Sequence, residues 1–208
     1  IVVLSALSGT TNALTEISLA LSKGDRDEAK KRIDILEDHY QNFILALLKD
    51  KEYYQKAKEI LAEHFEFLHI ILKISYSEAL NKDILAQGEL LSTKLFSVFL
   101  KEEGVQHQWL AALDFMSIDH YGEPQVADIK MKLTALLEAH PEEKIFVTQG
   151  YICRNAKGEI DNLKRGGSDY SASLMAAAID ASVCEIWTDI SGMHNNDPRI
   201  VPNTKAIK

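Results

Sequence analysis

Lys164-Arg165-Gly166-Gly167-Ser168-Asp169-Tyr170-Ser171-Ala172-Ser173 sets a glycine-rich turn directly in front of a helix of small residues. Two glycines let a backbone approach a ligand closely. The first free N–H groups of the helix point outward, and the helix dipole adds partial positive charge at the same place. Arg165 supplies a full charge, Ser168 can cap the helix or bind a ligand, and Asp169 can accept hydrogen bonds in the first turn or orient a cation. The pattern is that of an anion cradle. For an isolated Gly-Gly-Ser, a loop whose Ser168 or Asp169 only caps a helix would be the better reading. Arg165 and a second motif downstream reverse that preference.

The second motif begins with a short apolar segment, Cys184-Glu185-Ile186-Trp187, read as a strand, which runs into Thr188-Asp189-Ile190-Ser191-Gly192-Met193-His194-Asn195-Asn196-Asp197-Pro198-Arg199. A strand end followed by a polar, glycine-bearing loop is where open α/β sheets hold nucleotides. Together the two segments resemble the aspartokinase branch of the amino acid kinase family, which carries Arg-Gly-Gly-Ser-Asp-Tyr and then Trp-Thr-Asp, Gly and Asp-Pro-Arg. Two further segments fit it. Ile1-Val2-Val3-Leu4-Ser5-Ala6-Leu7-Ser8-Gly9-Thr10-Thr11-Asn12 is similar to that family's second strand and Ser/Gly/Thr-rich loop, and Gln87-Gly88-Glu89-Leu90-Leu91-Ser92 to its Gly-Glu-Leu helix. The four segments occur in the family's order and span nearly the whole chain.

The resemblance implies an α/β fold: a three-layer αβα sandwich with a mostly parallel sheet, of the carbamate-kinase-like kind, carrying a helical insertion over 12–103 and a sheet and nucleotide-binding part over 104–208. It implies ATP and Mg²⁺ as cofactors and L-aspartate as acceptor, phosphorylated to 4-phospho-L-aspartate at the start of lysine, threonine and methionine biosynthesis. By the same carry-over, Arg165, Gly167 and Ser168 hold the aspartate, Glu89 pairs with its ammonium group, and Ser5 and Thr11 hydrogen-bond in the substrate and phosphate region. Asp169 helps organise the transfer centre. Thr188, Asp189, Met193 and Arg199 meet the nucleotide. Asp197 reads equally well as a turn former. Without the resemblance, Glu89 would read as a surface glutamate, although Gly88 beside it, costly inside a helix, hints at close approach by a ligand or another backbone.

Phosphoryl transfer to a carboxylate asks the protein mainly to bring two anions together and screen their repulsion. Arg165 can grip a carboxylate in bidentate fashion, and the turn supplies N–H groups. The family's first strand, ending in Lys-Phe-Gly-Gly-Thr, is absent, as are its C-terminal ACT domains. The expectation is therefore a catalytic-domain fragment, weak or inactive alone, whose family members usually form homodimers. Two alternatives stay open. One is another family member, acting for example on glutamate. The other is a non-catalytic aspartate-binding or assembly module.

Composition sets the outer bounds. With 208 residues, 46% hydrophobic and 26% charged, the chain can bury a real core. A formal charge of −8 argues against sequence-independent nucleic-acid binding, and Lys30-Lys31-Arg32 reads as a solvated helix face. No apolar run is long enough to span a bilayer and no segment reads as a signal peptide. Cys153 and Cys184 have no CxxC spacing, so neither a structural zinc site nor a disulfide is expected, and a cytoplasmic setting fits. His39, His64 and His69 lack a second ligand at metal spacing, which gives them surface or core roles and no metal site. No P-loop is present.

Helical periodicity, as in Leu14, Ile17, Leu21 and Ile33, Leu36, Tyr40, predicts four helices between Asn12 and about Glu103. Breaks are expected at Gly24-Asp25, Lys49-Asp50-Lys51 and Asn81-Lys82-Asp83. Strands are expected at 1–4, buried, and at 105–110, 144–149 and 185–188. Helices are expected over about 126–139 and 168–181, and a hairpin around Asn155-Ala156-Lys157-Gly158.

Overall fold

Three polar residues divide the first hundred positions into helices. Asp25 accepts from the N–H of Glu28, Asp50 from that of Glu52, and Ser77 from that of Leu80. Each satisfies an N–H that the helix itself leaves unpaired, worth about 1 kcal/mol per cap. The computed structural model, which describes residues 1–163, 167–188, 192, 194–196 and 200–207, has helices α1 (Thr10–Ser22), α2 (Arg26–Leu47), α3 (Lys51–Ile70) and α4 (Glu78–Glu102) in succession. The last break falls at residues 74–77, earlier than the expected Asn81-Lys82-Asp83. That polar run is tolerated inside α4 because its side chains have partners elsewhere: Ser18 Oγ donates to Asn81, and Lys82 pairs with Asp161 at 2.9 Å. The four helices share one apolar cluster, with Leu14, Ile17, Ile33, Tyr40, Phe65 and Leu95 among its buried members.

The sheet is parallel, in the order β1 (Val2–Leu4), β3 (Phe146–Gln149), β2 (Gln108–Leu110), with Val2 opposite Val147 and Leu110 opposite Thr148. Helix α4 covers one face, where Trp109 and Gln149 both reach Thr93. On the other face Leu110 and Phe146 join a second apolar cluster with Ile129 and Leu133 of α6 (Val126–Glu138) and Leu174 and Met175 of α7 (Gly167–Ala178). The layering is therefore αβα with a helical insertion, as expected. A short α5 (Ala112–Phe115) follows β2, and β4 (Ile152–Arg154) with β5 (Ile160–Asn162) forms the expected antiparallel hairpin.

The strands are shorter than their apolar runs. Residues 105–107 are irregular instead, fixed by the N–H of Val105 on the Leu100 carbonyl and by His107 between Ser97 and the Val105 carbonyl. Residues 144 and 145 precede the ladder. Helix α7 starts at Gly167 and stops at Ala178, short of Ala181. Two expectations change more substantially. β1 is an exposed edge rather than a buried strand, with Ile1 43% and Val2 39% exposed. Residues 183–188 form no ladder, and Trp187 is 88% exposed. A strand exists through its neighbours' hydrogen bonds, and a cavity separates this segment from β1.

Truncation inside the helical cluster should be felt strongly and truncation on its surface should not. Phe65→Ala is expected to lower unfolding free energy by about 3–5 kcal/mol, whereas Leu45→Ala, at an exposed position, should change it by less than about 0.5 kcal/mol. Urea unfolding of both variants checks this.

Candidate active site

Helix α4 touches the loop after β1 without an intervening side chain. A Cβ at Gly88 would stand 2.8 Å from the Cβ of Ala6 and 3.4 Å from Thr10 Cγ2, which leaves no room for it. This approach brings the N–H of Ala6 to Glu89 Oε1 at 3.3 Å. Glu89 is only 4% exposed, and its Oε2 has no hydrogen-bond partner among the described residues. Burial pushes its carboxyl up to about 7, against the opposing pull of the Ala6 N–H. A buried, half-satisfied carboxylate is costly to a fold and suits a cationic ligand group.

The turn bearing Glu89 is held by a closed polar network. Thr93 Oγ1 donates to the Glu89 carbonyl at 3.0 Å and accepts from Gln149 Nε2 at 2.8 Å and Trp109 Nε1 at 3.2 Å. That uses the hydroxyl's one proton and both lone pairs. Gln149 Oε1 in turn accepts the N–H of Ala112 at 2.7 Å. The network ties α4 to the ends of β3 and β2.

Beyond β3 the chain packs closely against the start of α7. A Cβ at Gly150 would lie 2.7 Å from Ser168, and one at Gly167 would lie 2.5 Å from the Tyr151 ring. Tyr151 adopts a left-handed backbone, φ 63°, which disfavours a side-chain-bearing residue by about 1–2 kcal/mol. The strain is held in place by Ser171, whose Oγ accepts the Tyr151 N–H at 2.9 Å and donates to the Gly167 carbonyl at 2.6 Å. The first turn of α7 thus sits over the end of β3. Ser168 and Asp169 face, with Ser5, a cavity of about 730 Å³ floored by Ala172, Met175 and Ala176 and bounded on its far side by residues 183–187.

Of the sequence-predicted site residues, Ser5, Ser168 and Asp169 meet in that cavity, and Gly167 is buried behind them. Glu89 meets the same loop one residue beyond Ser5. Thr11 is exposed in the first turn of α1, its carbonyl accepting the Thr15 hydroxyl at 2.7 Å. Thr188 is exposed and follows the cavity-lining Trp187. Arg165, Asp189, Met193 and Arg199 lie outside the described residues. Among the described residues, no group of three or more His, Cys, Asp or Glu could hold a metal ion, and no helix is long and apolar enough to cross a membrane. His64 is buried, with Nδ1 2.6 Å from Gln87, and burial lowers its pKa. Sequence reasoning missed Thr93, Gln149 and Tyr151. Their roles depend on contacts across elements, and Gly150 beside a strand end was the one local signal available.

A sequence model of the amino acid kinase family matches residues 1–208. The chain is 36% identical to lysine-sensitive aspartokinase 3 of Escherichia coli over 210 residues, covering 100% of this chain and 46% of that protein. It is 33% identical to the bifunctional aspartokinase/homoserine dehydrogenase 2 of the same organism, covering 96% of this chain and 24% of that one. The chain thus spans less than half the length of these curated relatives. The crystal structure of E. coli aspartokinase III in complex with aspartate and ADP superposes with a TM-score of 0.81 at 32% identity, over 99% of this chain and 46% of that one.

Glu89 makes stability depend on pH with a definite sign. Its folded pKa, about 7, lies above its ordinary value of 4.5, so between these values the folded state holds the proton that the unfolded state has released. Stability is fully present below the lower value and falls as pH rises through the higher one. Glu89→Gln should remove this component, so that its unfolding free energy relative to the parent chain rises across that window. Denaturant unfolding at several pH values measures it, and parallel pH profiles would show that Glu89 is not perturbed.

Proposed function

Because the chain belongs to the amino acid kinase family, we propose that this protein transfers the γ-phosphoryl group of ATP to the side-chain carboxylate of L-aspartate, giving 4-phospho-L-aspartate and ADP. The observation that carries the choice of an amino acid as acceptor is Glu89, a buried carboxylate with one oxygen lacking a partner among the described residues, set beside the loop that leads to Ser5. The names of the E. coli relatives, and the binding of aspartate and ADP by one of them, support aspartate as that acid. Such a reaction opens the biosynthesis of lysine, threonine and methionine, in the cytoplasm.

In this reading the aspartate ammonium group pairs with ionised Glu89. Its carboxylates lie toward the start of α7, where Gly167, Ser168 and the motif residue Arg165 supply N–H, hydroxyl and guanidinium donors. Thr11, with Ser5, serves the phosphate end. The side-chain carboxylate oxygen attacks the γ-phosphorus, the bond to the β,γ-bridging oxygen breaks, and its electrons leave on ADP. No proton is transferred, so the protein's task is alignment and charge screening. Asp169, exposed on the cavity side of α7, is suited to organise that centre and would help hold Mg²⁺. The ion, when bound with the nucleotide, neutralises phosphate charge. Thr188, Asp189, Met193 and Arg199 take the nucleotide.

The cavity between β1 and residues 183–187 belongs to the same reading. Among the described residues β1 pairs only with β3, residues 183–187 join no ladder, and helix α7 lines the cavity between them. In this reading the cavity takes the phosphate end of the nucleotide, beside Ser5, Ser168 and Asp169.

Kinetics of the full-length protein test the assignment. L-aspartate should support ADP release and L-glutamate should not, and Arg165→Ala should raise the aspartate KM at least about tenfold while shifting the ATP KM less than about twofold. The aspartate KM should fall as pH rises through about 7, where Glu89 ionises. Equal turnover of glutamate, or aspartate binding without ADP release, would replace this reading with one of the two alternatives.

A further inference from the structure

The loop between β1 and α1 is poorly supported by apolar packing. Residues 5–8 border an apolar cavity of about 260 Å³, shared with Tyr40, Phe43 and Leu47 of α2 and Phe96 of α4. What fixes the loop is polar: Ser92 Oγ donates to the Ser5 carbonyl at 2.7 Å, the Ala6 N–H reaches Glu89, and the Thr10 N–H closes a turn on the Leu7 carbonyl at 3.0 Å. A fourth tether comes from the helical insertion. The hydroxyls of Tyr40 and Thr10 share a hydrogen bond of 2.9 Å, with both residues buried.

Thr10 is buried, facing α2 on one side and Gly88 of α4 on the other. Its Oγ1 faces Tyr40, while its methyl lies 3.4 Å from where a Gly88 Cβ would stand. A buried β-branched side chain has few χ1 settings, and the bond to Tyr40 ties this one, and the start of α1 with it, to α2. Helix α1 has no side-chain cap, and Gly9 before it is left-handed at φ 82°, so Tyr40 supplies the side-chain hydrogen bond at this end of the helix. Tyr40 is itself fully buried, packed edge-on against Phe43 and Phe65 with centroids 6.4 Å and 6.0 Å away. Glu89 is near enough for its charge to raise the pKa of Tyr40, although burial is the larger cause.

We infer that Tyr40, from the second helix of the insertion, is a positioning residue for the acceptor site: its hydrogen bond to Thr10 holds the loop that presents Ser5 and the Ala6 N–H to Glu89. The helical insertion thereby acts on substrate affinity without touching substrate. This rests on the reading of Glu89 as the ammonium partner.

The test uses the full-length protein with Tyr40→Phe, Thr10→Val, their combination, Thr10→Ser and, as a control on the site, Glu89→Gln. Tyr40→Phe and Thr10→Val should each raise the aspartate KM about three- to tenfold, the scale of one buried hydrogen bond, with the ATP KM changed less than about twofold. The double variant should be no worse than the poorer single one, since both remove the same bond, and Thr10→Ser should keep most of the parent affinity. Amide exchange at Ala6 should quicken in Thr10→Val, a readout that does not depend on turnover. An unchanged aspartate KM in both single variants, strictly additive effects, or a lower melting temperature with both KM values unaltered would overturn the inference. If Glu89→Gln also leaves the aspartate KM unchanged, the acceptor-site reading fails. If Glu89→Gln raises it and Tyr40→Phe does not, only the role of Tyr40 fails.

Discussion

Helix α4 lies against the loop after β1 so closely that only glycine fits at position 88, and the arrangement of the acceptor region follows from that approach. A methyl group there would push the helix and loop apart and lengthen the 3.3 Å bond between the Ala6 N–H and Glu89. The same helix carries Ser92 to the Ser5 carbonyl and Thr93 to the sheet. One helix face therefore sets the loop, the buried carboxylate and the sheet edge at once. The penalty of a glycine inside a helix, about 1 kcal/mol relative to alanine, is accepted for that geometry.

Two kinds of interaction divide the work. The two apolar clusters, one within the helical insertion and one against the sheet with α6 and α7, supply the bulk of cohesion but little direction. Direction comes from a few buried hydrogen bonds with no spare capacity, above all the Thr93 hydroxyl, saturated by Gln149, Trp109 and the Glu89 carbonyl. Glu89 stands apart from this economy. Its neighbours satisfy one oxygen, and burial opposes its ionisation, so it works against the stability of the resting fold. Strain at Tyr151, pinned by Ser171 over the first turn of α7, is a second such concession, and it lies beside Gly167 at the same site.

Much of this was legible in the sequence, for reasons that differ by element. Helices announced themselves through apolar spacing and through Asp25 and Asp50, because caps and periodicity are local. The break before α4 was misplaced because Asn81, Lys82 and Asp83 look like a loop until Ser18 and Asp161 are seen to partner them. Gly88 was readable as a point of close approach, yet what approaches, Ala6, was not. Residues 184–187 have strand composition and no ladder, since composition says nothing about whether a neighbour is present. Burial of Glu89 came from three-dimensional context alone: on sequence its helix offered a surface position as readily. Tyr40, inside α2 and outside every motif, carried no local mark of its link to Thr10.

The pairing of Val2 with Val147 bears on how the chain acquires its shape. All four long helices lie between these two partners, and a contact so distant along the chain is slow to form because closure entropy must be met before any ladder bond compensates it. The helices between them close by short connections, and their shared cluster can gather early from neighbours in sequence. Once gathered, it brings the two ends of the intervening segment near each other and shortens the effective search. The packed insertion thus spans the gap in sequence that separates the two strands, and the sheet's longest-range pairing rests on it.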